Sequence, residues 1–155
     1  MNVVETKTTT ESLTPAQRDD LRVIAAMMIP ESAEFCVPGA DDPAIQADIL
    51  ATLSRDTERV REALDHIAGL AGCPLGALDK ERREAVAGEF RAAGGPAAAT
   101  LIRVVLQCYY RDDRVLRSLG LEPRPPFPKG HALEEGDWSL LEPVKAKGPM
   151  WRRVS

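Results

Sequence analysis

Helix starts punctuate this chain, and that punctuation constrains its fold more than any other feature. Thr14-Pro15-Ala16-Gln17 reads as a complete start. Thr14 caps the free N–H groups, Pro15 suits the first helical position, and Gln17 closes a capping box. Asp42-Pro43 repeats the cap-and-proline pair, Asp79 caps a charged segment, Gly94-Gly95-Pro96 ends one helix and opens the next, and Asp112 caps a last short one. No stretch between these points alternates apolar and polar residues in the manner of a half-buried strand.

The apolar spacing agrees with the punctuation. Leu21, Ile24, Ala25 and Met28 share one face of the first helix, which Val23 and Met27 widen and Pro30 stops. Ile45, Ile49, Leu50 and Leu53 form a short amphipathic helix. From near Asp56, Val60, Leu64, Ile67, Ala68 and Ala71 face a core, and Gly72 is a left-handed stop. Val86 and Phe90 are the apolar contacts of the charged helix after Asp79. The segment after Pro96, AAATLIRVVLQCYY, is apolar on nearly every side, with Arg103 and Gln107 its strongly polar members. This predicts an all-α fold: a bundle of five or six helices around a central apolar helix at about 96–110. DRVLRSLG then forms a short helix ending at Gly120.

Beyond it the pattern changes. Residues 121–155 hold Pro123, Pro125, Pro126 and Pro128, then Asp137-Trp138-Ser139-Leu140-Leu141, then Trp151-Arg152-Arg153 near the end. The prolines favour a stiff extended form. Asp137 can cap a single turn that buries Trp138, Leu140 and Leu141. So long an irregular segment with large side chains needs a surface to lie on. That surface is either the chain's own bundle or another protein, and tryptophan and arginine are frequent anchors at interfaces. The expected organisation is a flexible arm over 1–12, a helical domain over 13–120 and an extended docking tail over 121–155.

Composition excludes several function classes. A formal net charge of −4, with basic residues interleaved among acids, does not suit nucleic-acid binding. No apolar run approaches the ~18 residues of a membrane span, and residues 1–15 lack the basic start and apolar run of a secretory signal. Cys36, Cys73 and Cys108 are too widely spaced for a metal pair and read as ordinary thiols, with a Cys36–Cys73 bridge the alternative in an oxidising compartment. His66 reads as a border residue of its helix. His131 stands in the proline-rich segment without an obvious partner. No nucleophile motif or phosphate loop is present, so the chain reads as non-enzymatic. The alternative is a free-standing helical interaction module, or a ligand-binding protein or enzyme using Tyr109, Tyr110 and His131.

Three segments resemble the gluconate 2-dehydrogenase subunit 3 family. LTPAQRDDLRVIAAMMIP is similar to that family's opening helix, YYRDDRVLRSLG to its aromatic pair and short acidic helix, and PPFPKGH…DWSLLEPVKAKGPMWRR to its proline-rich tail. They occur in the family's order and span nearly the whole chain. The resemblance implies a non-catalytic small subunit that assists folding, stability or export of a large partner. That partner would be an FAD-dependent dehydrogenase of the glucose–methanol–choline type, oxidising a CH–OH group of a sugar or related alcohol, with a cytochrome c subunit as a further associate. FAD would belong to the partner alone. The candidate partner-binding residues are Tyr109, Tyr110, Arg114, Pro125, Phe127, Trp138, Leu141, Trp151 and Arg152. Many relatives open with a twin-arginine signal. This chain shows none, so a cytoplasmic complex, or export with a signal-bearing partner, is expected.

Overall fold

A computed structural model describes residues 12–125, 127, 129–130 and 135–148. Among these residues it has seven α-helices and no strand, as the helical punctuation predicts. Two compact units divide at Pro123 and Arg124.

In the first unit, helix α1 spans Pro15–Met28 behind the complete capping box. Thr14 Oγ1 accepts from the Gln17 N–H at 3.2 Å, and Gln17 Oε1 accepts from the Thr14 N–H at 3.0 Å. The helix buries Leu21, Ile24 and Ala25, and Ile29 ends it. The following loop folds on itself through paired 3.1 Å backbone bonds between Ser32 and Val37. Gly39 is required there, because an added Cβ would lie 2.9 Å from the Glu31 nitrogen.

Helix α2, Pro43–Thr52, starts where Asp42 Oδ1 accepts from the Ala44 N–H at 2.9 Å. It buries Ile45 and Ile49. It also buries Gln46, whose amide donates to the Ala40 carbonyl at 2.8 Å and so leaves no lost hydrogen bond. A 3₁₀ turn at Ser54–Asp56 leads into helix α3, Thr57–Ala71. Val60, Ala63, Leu64 and Ile67 face the core and Gly72 ends the helix at φ +70. Ala68, expected in the core, is exposed. The buried stripe follows Val60, Ala63, Leu64 and Ile67, and Ala68 falls one position past its edge.

A 3₁₀ turn at Leu75–Ala77 precedes helix α4, Lys80–Ala93, which Asp79 caps and which buries Val86 and Phe90. Gly94, at φ +62, turns the chain into helix α5, Gly95–Tyr109. Helix α6, Asp113–Ser118, closes the unit with Val115 inside. Helix α3 packs against α1, α4 and α5, and α5 packs also against α2. These two helices thus form the middle of the bundle. Leu21, Ile45, Ile49, Leu64, Ile67, Leu75 and Leu101 are each buried almost completely, worth about 1.5–3 kcal/mol apiece in burial. Asp20 is also buried, and its carboxylate accepts from the Leu75 N–H at 2.8 Å, fixing α1 to the 75–77 turn.

The second unit has a 3₁₀ turn at Trp138–Leu141 that runs directly into helix α7, Glu142–Lys145. No helix among the described residues is long and apolar enough to cross a membrane.

Candidate partner-binding surface

The segment Tyr109–Arg114 turns the corner from α5 to α6, and its side chains divide between fastening and display. Tyr109 points inward. Its ring is buried and its hydroxyl donates to the Pro38 carbonyl at 3.2 Å. Burial raises the tyrosine pKa, and the neighbouring Tyr110 and Asp112 add to the shift. Tyr110 points outward, 52 % exposed, with its ring edge-on to Tyr109 at 5.3 Å. Neighbours on a helix lie about 100° apart, which separates one core ring from one surface ring.

The next residues fasten the corner to α2. Arg111 donates through Nε to Asp48 Oδ2 at 2.8 Å, and this bond with the Asp48 charge raises the arginine's pKa. Asp112 caps α6 by accepting from the Arg114 N–H at 2.8 Å. Arg114 reaches back across the corner to two carboxylates. It donates from both terminal nitrogens to Asp42 at 3.0 and 2.9 Å, and from Nε and one terminal nitrogen to Asp112 at 3.0 and 2.9 Å. Hydrogen bonds from Arg114 hold both carboxyls below the usual range, and the two carboxylates push the arginine's pKa up. Arg114 therefore joins the cap of α6 to the cap of α2, with its fork geometry filled from within the chain.

In the second unit the candidate residues face water. Pro125 is exposed, and its carbonyl accepts from Arg124 at 3.3 Å. Arg124 also donates to the Gly130 carbonyl at 2.7 Å, drawing the loop around Phe127 together. Phe127 is 84 % exposed. Asp137 caps the next turn by accepting from the Ser139 N–H at 3.0 Å, and hydrogen bonds from Ser139 lower the aspartate's pKa. The turn is where the sequence places it, but it does not bury its apolar residues. Trp138 is 71 % exposed and Leu141 40 %, with Leu140 also outside. Two short helical turns make one layer, and burial needs a second. Trp151, Arg152 and His131 lie outside the described residues.

The remaining chemistry-bearing residues are dispersed. His66 is exposed, with its ring edge against Phe90 at 5.6 Å. All three cysteines are free, Cys36 and Cys73 exposed and Cys108 buried. Burial raises the Cys108 thiol's pKa. Among the described residues no cluster of His, Cys, Asp and Glu is placed to hold a metal ion. With no strand among them, the described residues also offer no strand–glycine turn–helix unit for a dinucleotide. Sequence reasoning singled out Arg114 but missed Pro38, Asp42 and Asp48 as the groups that receive the corner. The carboxylates of Asp42 and Asp48 carry a visible signal as cap and exposed acid, but pairings across some 60–70 residues leave no local pattern. Compared with protein-family models, with curated proteins and with solved structures, the chain matches none.

Proposed function

We propose that this chain is a non-catalytic small subunit of an FAD-dependent dehydrogenase of the glucose–methanol–choline type. In this reading the large subunit holds FAD and oxidises a CH–OH group of a sugar or related alcohol, and a cytochrome c subunit can take the electrons. The complex works in the cytoplasm, or is exported with a signal-bearing large subunit. The small subunit lends stability: a partner that binds only the folded large chain raises its folded population by mass action.

One observation carries the reading. Phe127, Trp138, Leu140 and Leu141 are all exposed within a stretch of 15 residues. Single exposed apolar residues are ordinary, but a group of them marks an interaction site. The ordered resemblance of three segments to one subunit family supplies the kind of partner. The internal fastening of the α5–α6 corner fits the same reading, since a rigid corner presents Tyr110 without loss of order on binding.

The test is co-expression with a flavoprotein dehydrogenase encoded beside this chain. A chain truncated after Pro123, and the Trp138→Ala/Leu141→Ala double variant, should retain helical content but recover less of the large subunit. Recovery at the full-chain level by both variants would exclude the tail from the interface.

A further inference from the structure

A polar cleft between the Ser54–Asp56 turn and α5 has no part in the proposed tail-mediated docking. It encloses about 280 Å³, and Thr52, Arg55, Asp56, Arg103, Cys108 and Arg111 are among the residues lining it. Three guanidiniums there face one lining carboxylate, in a chain whose net charge is −4. With Arg103 paired to Asp56 and Arg111 to Asp48, Arg55 leaves the cleft an excess of positive charge, and such an excess concentrates anions.

The three arginines differ in how far they are satisfied. Arg103 donates to Asp56 at 2.8 Å and to the neutral Gln107 side chain at 2.9 Å. Arg111 is held by Asp48, with Thr52 Oγ1 and Cys108 Sγ each 3.4 Å from one terminal nitrogen. Arg55 is exposed, and among the described residues it has no hydrogen-bond or ion-pair partner. Arg103 lies on α5, and Arg111 follows the end of that helix in the turn toward α6; both line the cleft. Ser54 in the cleft wall has φ +39. A residue other than glycine held there costs about 1–3 kcal/mol, and such strain tends to gather at ligand sites.

We propose that this cleft binds a small oxyanion of the phosphate or carboxylate class, with Arg55 as its main charge partner and Arg103 and Arg111 as further lining cations. The planar guanidinium fork matches the paired oxygens of both groups. The cleft volume lies just below the range of about 300–1,000 Å³ typical of ligand pockets, which restricts the ligand to small anions.

The experiment titrates sodium pyrophosphate into the full chain at low ionic strength and follows arginine Nε–H and backbone amide signals by NMR. Low salt is needed because screening weakens exposed charge pairs. Saturable shifts are expected at Arg55 and over residues 52–56. Arg55→Gln should weaken binding about tenfold, the loss of one charge-assisted contact. Arg59→Gln, on α3 and paired with Glu62 at 2.8 Å outside the cleft, should leave it unchanged. Because Arg55 is exposed, its replacement leaves the core intact and circular dichroism checks the fold. Shifts that drift without saturating, or equal losses in the two variants, would overturn the proposal.

Discussion

Replacing Arg114 with alanine tests whether the α5–α6 corner is fastened in the way its geometry indicates. The side chain donates four hydrogen bonds to Asp42 and Asp112. Its loss would strip both carboxylates of their shared cation and leave two negative groups facing each other. The side chains are 44 % exposed for Arg114, 21 % for Asp42 and 15 % for Asp112. A fully exposed pair contributes about 0–1 kcal/mol, and breaking a buried one costs about 3–5 kcal/mol. This half-buried, doubly bidentate arrangement falls between, at about 1.5–2.5 kcal/mol. For a domain of this size that is a fall in Tm of about 5–10 °C.

The same residue fixes the sign of a pH effect. Arg114 lowers the pKa of Asp42 and of Asp112 from the ordinary 3.8. As pH falls below that value, the unfolded chain takes up protons first, so the stabilisation is complete above it and fades as pH drops through the folded-state values. Thermal melts by circular dichroism, run near neutral pH and again near pH ~3, should therefore show the gap between wild type and Arg114→Ala narrowing in acid. A Tm loss under about 1 °C at neutral pH, or a gap that does not change with pH, would refute this account of the corner.

Other variants separate fold from surface. Asp20→Ala should cost about 1–3 kcal/mol in a chemical melt, because it leaves the buried Leu75 N–H without its 2.8 Å acceptor. Trp138→Ala should change stability by less than about 0.5 kcal/mol, since its side chain faces water. The same change should weaken binding of the large subunit by about thirtyfold or more if Trp138 is a central anchor, with ~2 kcal/mol the usual lower bound for such residues. A thiol probe on the native chain should label Cys36 and Cys73 quickly and Cys108 slowly, because Cys108 is buried and its thiolate disfavoured. Equal rates at all three would contradict the packing of α5.

The helices were legible in the sequence because their signals are local. Thr14, Asp42, Asp79 and Asp112 each cap the helix that follows by accepting a backbone N–H. Gly72 takes the left-handed conformation a helix stop needs. Core positions followed from 3.6-residue spacing, and Ala68 missed because alanine carries little directional signal at the edge of a stripe. The polar interior was hidden. Asp20 and Gln46 look like surface residues until Leu75 and the Ala40 carbonyl are seen to claim them. Arg114 stood out only as a member of the segment YYRDDRVLRSLG. Its bond to Asp42, 72 positions away, depends on the fold bringing the starts of α6 and α2 together. In the tail, the Asp137-capped turn was visible as a cap, while the exposure of Trp138 was not, because a cap says nothing about what a turn packs against.

The most direct test of the accessory-subunit account is to purify this chain by a tag from its native host and record the mass and visible absorbance of what elutes. The account predicts co-elution with a larger chain and a flavin spectrum carried by that chain. A colourless, stable monomer of 16.9 kDa would contradict it.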